Sequence, residues 1–237
     1  MADQLTLDVV DRPADGVLRS MRALKGARRE RAPGLRTLLQ FGTAHFNPRP
    51  YPRPTLRRLG VVAIWESAAS ADAWKTLVSP LCAGAREHWH VDGEITRASF
   101  SEPWHHWTPD TDDARPLADD EPALILISGQ LKARWIPAFT KDGAKAVAHA
   151  FAQPGYLGGL GINNSALNTT SCSAWRTYAD AKAYAFKPGA HATAMKRDRA
   201  AERHRTEWFL RIRPLAETGS LNGRAPFEGL LRQAIAA

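Results

Sequence analysis

VVAIWESAASADAW (61–74) and SCSAWRTYADAKAY (171–184) read as one passage written twice. Laid over one another, they place Trp65 on Trp175 and Trp74 on Tyr184. The match continues downstream, where SPLCAGAREHW (79–89) lies over KPGAHATAMKR (187–197). Upstream, APGL (32–35) echoes QPGYL (153–157). Each passage passes from a strand pattern into a helix pattern, so the chain is expected to repeat one supersecondary unit.

Working outward gives the rest of that unit. Leu5, Leu7 and Val9 alternate with polar neighbours in 3–10, which predicts a strand. Val17, Leu18, Met21, Leu24 and Ala27 recur at helical spacing between Ala14 and Glu30, with Pro13 before them and Gly34 after. A turn and strand follow at 32–46. Residues 47–58 read as an irregular loop, because four prolines fix φ and remove donors. A buried strand is expected at 59–67. Ser70 is expected to cap a helix through Trp74 and Leu77, broken near Pro80 and resuming to about Trp89, before a strand at 91–101.

After an acidic, proline-containing linker (109–121) the order recurs: strand 122–131, helix 136–151, strands at 154–162 and 169–177, a helical segment 180–203 interrupted at Pro188 and Gly189, and a strand at 206–215. The expected class is therefore α+β. Two tandem ferredoxin-like βαββαβ modules, 1–108 and 122–215, bury their open sheet faces against each other as an intrachain dimeric α/β barrel. Residues 216–237 read as a tail with a short helix in FEGLLRQAIAA.

Composition narrows the function classes. The 237 residues suffice for a sizeable core without a disulfide or structural metal, and Cys82 and Cys172 have no CxxC spacing. The start shows no basic segment leading into a long apolar run, and no stretch approaches about 20 apolar residues, so a cytoplasmic protein without a transmembrane segment is expected. The charge of +8 is concentrated in 19–31, 49–58 and 196–205. No helix-turn-helix, zinc-finger or RNP pattern accompanies it, so no nucleic-acid partner is expected. Solvated helix faces and one basic loop are the simpler reading, with contact to an anionic membrane surface as the other.

Among the histidines, His191 follows the Pro188–Gly189 break directly, with Met195 one turn later on the same side. An imidazole so placed is either a metal-bound cofactor ligand or a half-buried core histidine. His204 is the runner-up, within a charged run that reads as solvated. His88 and His90 flank Trp89, and His105 and His106 lie in WHHW (104–107). Adjacent histidines on a strand point to opposite faces, and no carboxylate lies nearby in sequence at facial-triad spacing. These four are therefore read as an aromatic edge of the first module, and His45 and His149 have no distinguishing context. GGLG (158–161) is too short for a nucleotide loop.

RAPGL (31–35), LLQFGT (38–43), QPGYLGGLGI (153–162), SAWRTYADAKAYAFKPGAHATAM (173–195) and the Trp208–Phe209 pair together resemble the spheroidene monooxygenase-like proteins. The resemblance covers most of the chain and departs between Arg197 and Trp208. It implies duplicated modules and bound haem b, with His191 as the axial iron ligand. Trp175, Phe186, Met195, Trp208 and Phe209 would then be walls of the slot, and Arg197 or Arg205 propionate partners. The implied activity is a haem-dependent monooxygenase acting on an apolar small molecule and fed by an electron-transfer partner. The alternatives are an aldoxime-type dehydratase and a non-catalytic haem- or ligand-binding barrel. The resemblance identifies no distal catalytic residue. Ala83, the counterpart of His191 in the first half, is not a ligand, which implies one haem per chain.

Overall fold

Alternation of Leu5, Leu7 and Val9 with Thr6 and Asp8 makes β1 (Gln4–Asp11) a strand with both faces covered. The computed structural model describes residues 2–13, 32–45, 54–101, 107–108, 111, 113–163 and 167–231. The expected helix at 14–30 and His105 and His106 lie outside them. β1 is followed by β2 (Leu35–His45), β3 (Pro54–Trp65), α1 (Ala68–Cys82) and β4 (Glu87–Phe100). The second module comprises β5 (Ala123–Leu131), a 3-10 turn at Ala133–Trp135, α2 (Ile136–Phe151), β6 (Tyr156–Asn163), β7 (Asn168–Trp175), α3 (Tyr178–Phe186), α4 (Ala190–Ala200) and β8 (His204–Gly219). All strand pairs are antiparallel, and the order β1-β3-β2-β6-β7-β5-β8-β4 closes a barrel. This is the intrachain dimeric α/β barrel that the repeat predicts.

The repeat holds at the level of contacts. Trp65 meets Trp74 with ring centroids 5.8 Å apart, and Trp175 meets Tyr184 at 4.9 Å. The Ser67 hydroxyl caps α1 by accepting from the Ser70 amide, and the Thr177 hydroxyl caps α3 by accepting from the Asp180 amide. A Cβ at Gly34 would fall 2.2 Å from Ser70 Oγ, and one at Gly155 would fall 2.2 Å from the Asp180 carboxyl. The echoed glycines are thus required by the same close approach of turn to helix start.

Local readings shift at several points. The first-module cap is Ser67 rather than Ser70, because Ser67 has the extended backbone that a cap needs (φ −157°, ψ 162°). α1 runs unbroken through Pro80 to Cys82, and β4 then starts at Glu87, so His88, Trp89 and His90 lie on a strand. β3 begins at Pro54, inside the stretch expected to be loop. β8 extends past Leu215 to Gly219, and turns, not a helix, occupy 226–230.

Apolar side chains fill the barrel interior among the described residues. Leu5, Leu7, Ile64, Trp89, Ile95, Leu124, Leu126 and Ile212 are all fully buried there. One end is closed by Leu221 and Phe227, anchored through Glu217, which accepts from Trp89 Nε1 at 2.6 Å and from the Phe227 amide at 2.9 Å. At the other end Trp107 donates to Asp3 and meets Phe100 edge-on.

The modules join where β4 pairs with β8 over eleven register positions and where β2 meets β6 over four. Arg213 pins the longer seam. Its guanidinium bonds Glu94 across the seam, Glu121 at 3.2 Å, and the carbonyls of Arg115 and Pro116 at 2.9 and 3.1 Å. It therefore ties both modules and the linker together while only 8% exposed. Removing it strands two carboxylates, each about a fifth to a quarter exposed. Discounted for that exposure, Arg213→Met is expected to lower the unfolding free energy by about 2–3 kcal/mol, measured by urea denaturation with the slope unchanged.

Candidate functional site

Register makes the outer faces of the two sheets comparable residue by residue. Gln4 faces Trp65 and Ala123 faces Trp175, so Asp8 in the first module corresponds to Ile127 in the second. The same reasoning matches His90, opposite Asp8, with Phe209, opposite Ile127.

In the first module this row is polar and closed. Asp8 is 0% exposed and accepts from His88 Nε2 at 2.8 Å, His90 Nδ1 at 2.8 Å and Trp74 Nε1 at 2.6 Å. His90 Nε2 reaches Asp92 at 3.0 Å. The bonds from His88 and His90 outweigh the burial of Asp8 and hold its carboxyl below the usual range. Hydrogen bonding to Asp8, then to Cys82, raises His88 to about 9. For His90, burial pulls downward, but Asp8 and Asp92 outweigh it and the result is also about 9. The expected aromatic edge is not what β4 forms: Trp89 points into the barrel, and His88 and His90 share a carboxylate supplied by β1.

In the second module the equivalent row is Gly161, Ser171, Ile127 and Phe209, and the next is Gly159, Ser173, Ile125 and Arg211. Small side chains line the β6–β7 half. Ile127 is 38% exposed where its counterpart Asp8 is sealed, so the helices leave this face partly open. α2 and α4 pack chiefly on one another. Ser173 accepts from Trp175 Nε1, while the half-buried Ser171 hydroxyl makes no hydrogen bond among the described residues.

His191 lies at the start of α4, beside the Trp175–Tyr184 pair that packs outside the second sheet. Its ring stacks on Tyr184, with centroids 4.4 Å apart and planes 9° apart, and Tyr184 donates its hydroxyl to the Ala146 carbonyl at 3.0 Å. His149 of α2 packs against Tyr184 at 5.4 Å and over Gly189, where a Cβ would lie 2.5 Å from its ring. The Lys187–Gly189 break thus makes room for a second imidazole beside His191. Burial, then proximity to His149, lowers His191 to about 4, so it is a neutral imidazole at physiological pH. Neither of its ring nitrogens is hydrogen-bonded among the described residues. His149 Nδ1 and the Tyr156 hydroxyl are buried without partners.

The residues proposed from sequence distribute unevenly. His191, Trp175 and Phe209 share the layer outside the second sheet. Trp208 does not: it is the next residue to Phe209 on β8 and points into the barrel. Phe186 is 72% exposed and walls nothing here. Met195 is half-buried on α4. Arg197 bonds Asp142 at 2.9 Å, as does Arg203, which also takes Asp198, so 196–205 is in part an ion-pair network rather than a solvated run. His204 is packed edge-on against Phe139 and lies 3.2 Å from Glu207, while Arg205 is exposed. Sequence reasoning passed over His149, Tyr184 and Tyr156. For His149 the signal was present, since it shares the stripe of α2 that buries Ala146 and Ala150.

No protein-family model matches the chain, and no curated protein matches it. Solved structures do. An aldoxime dehydratase crystallised with butyraldoxime aligns over 90% of this chain and 79% of its own, at 11% identity and a TM-score of 0.55. A further aldoxime dehydratase structure aligns over 90% and 81%, at 11% identity and a TM-score of 0.53. A haem-degrading enzyme from Listeria monocytogenes covers 87% of this chain and 98% of its own at 9% identity, with a TM-score of 0.31, too loose to carry an argument. The first two share this fold; at such identity they show the fold alone. No helix among the described residues is long and apolar enough to cross a membrane.

The three perturbed histidines set a pH profile. His88 and His90 are raised, so their contribution is complete below about 6.5 and is lost as pH rises through about 9. His191 is lowered, so the unfolded state binds the extra proton and stability falls from about 6.5 towards 4. Thermal melts of metal-free protein are expected to peak near pH 6.5. Histidine NMR titration should show two midpoints near 9 and one near 4.

Proposed function

We propose that this protein is a haem-dependent enzyme acting on an apolar small molecule, with the cofactor held in the outer layer of the second module by His191. The observation that carries the reading is the neutral, unbonded imidazole of His191, stacked on Tyr184 in the layer outside the second sheet. Burial keeps a lone pair available for iron, and Tyr184 fixes the plane of the ring. The residues fit the group in a second respect. His149 Nδ1 and the Tyr156 hydroxyl are buried polar atoms without partners in the same layer, and such atoms are costly unless a ligand or water meets them. Arg197, more than half exposed beyond its bond to Asp142, can reach a propionate.

A haem bound there supplies a redox-active iron, and the chain supplies everything that positions and shields the reaction. Ile127 and Phe209, opposite one another on β5 and β8, would offer the haem an apolar floor. Ser171, in register with both, presents a hydroxyl able to orient a substrate or pass a proton. Oxygen insertion by a monooxygenase-type oxidoreductase, which needs an electron donor, is the primary reading. The unbonded Ser171 hydroxyl also suits a second one, redox-neutral dehydration of an aldoxime, where a proton must be delivered to the departing hydroxyl.

Titration with haem is expected to give a sharp Soret band that saturates at one equivalent. His191→Ala is expected to lower affinity at least about tenfold and shift the band, while Trp208→Phe leaves it unchanged because that ring faces the barrel interior. Uptake that does not saturate and ignores His191→Ala would refute the assignment. Between the two reactions, turnover of butyraldoxime by reduced protein without oxygen, diminished in Ser171→Ala, selects dehydration. Oxygen-dependent consumption of an apolar substrate selects the oxidoreductase.

A further inference from the structure

The polar row of the first module has chemistry that the proposed function does not use. Asp8 lies at the middle of β1, Cys82 ends α1 and His88 opens β4, so three elements converge on one point. A carboxylate oxygen of Asp8, Cys82 Sγ and a ring nitrogen of His88 all lie within 4.8 Å of one another. His88 Nε2 is 2.8 Å from the carboxylate oxygen and 3.5 Å from the sulfur. Both contacts use the same nitrogen, so this is not a catalytic triad, in which the two imidazole nitrogens serve different partners. One atom of each residue aimed at a shared centre is the arrangement a metal ion needs.

We infer that Asp8, Cys82 and His88 form a zinc-type divalent metal site in the first module, separate from the proposed haem layer. Carboxylate, thiolate and imidazole are the donor types zinc takes, and tetrahedral bonds of about 2.0–2.3 Å place donors roughly 3.3–3.6 Å apart. The His88–Cys82 separation already has that value, and the Asp8–His88 pair opens by about half an ångström. Surrounding groups hold the carboxylate in place: Trp74 Nε1 donates to Asp8 Oδ2, and His90, itself bonded to Asp92, donates to Asp8 Oδ1. His88 is 27% exposed at the side chain, so the cluster meets solvent on the His88 side. The thiol proton and the His88 imidazolium proton leave to solvent as the ion enters, so two positive charges replace two.

The test uses Co²⁺ as a spectroscopic stand-in, added to tag-free, chelator-treated full-length protein. One equivalent is expected to produce a thiolate-to-cobalt charge-transfer band with intense visible bands of a tetrahedral site, and one equivalent of Zn²⁺ should abolish both. Cys82→Ser is expected to remove the charge-transfer band. His88→Gln should weaken binding at least about tenfold, and His90→Gln by a smaller factor through the loosened carboxylate. Cys172→Ser changes nothing, because that thiol is sealed inside the barrel. If Asp8→Asn does not fold, the Cys82 and His88 variants, whose side chains are only partly buried, still decide the matter. Absence of the bands, or bands that survive both Cys82→Ser and His88→Gln, would overturn the site.

Discussion

Everything else depends on the closure of the barrel where β4 pairs with β8. That pairing turns two open sheets into one surface without edges on this side, and Arg213 fixes it by bonding Glu94, Glu121 and the linker carbonyls at once. Closure has a chemical consequence. The facing sheets fill the space between them with Leu, Val, Ile and Trp, and the segment around Leu221 and Phe227 seals one end. Specialised chemistry is therefore left to the two outer layers, where helices cover the sheets.

Those layers have one geometry and opposite contents. Where the first module carries Asp8 opposite His90, the second carries Ile127 opposite Phe209. Trp74 of the first reaches down to the sheet and bonds Asp8; its counterpart Tyr184 bonds a helix carbonyl and stacks on His191. Charged groups in the first layer compensate one another and leave Asp8 sealed. In the second, the same positions are apolar or small and the imidazoles lie in the helices. A sealed polar cluster and a partly open apolar face thus occupy equivalent places.

Much of this fold was legible because duplication prints itself twice. The matched Trp65–Trp74 and Trp175–Tyr184 pairs, and the echoed glycines of APGL and QPGYL, are local in sequence and recur as the same contacts. His191 stood out for a similar reason: it follows a break in the second copy and has Ala83 as its counterpart in the first. The Asp8 cluster was not, since its carboxylate lies 80 residues from His88, and no spacing rule links groups that only the β1–β4 pairing unites. Pro80 misled because a proline in the last turn of a helix costs one backbone bond without ending it, whereas Lys187–Gly189 gives way to the ring of His149. Trp208 and Phe209 looked alike as neighbours; strand alternation sends one inside the barrel and the other outside it.

The central claim is that the second outer layer holds haem through the His191 imidazole, and side-chain replacement in solution tests it most directly. In His191→Gly the ring is deleted and a cavity beside Tyr184 remains. Haem is expected to bind this variant weakly, with an altered Soret band, and added imidazole to restore the wild-type band in a saturable way. A His191→Gly protein that binds haem with an unaltered spectrum, and does not respond to imidazole, would contradict it.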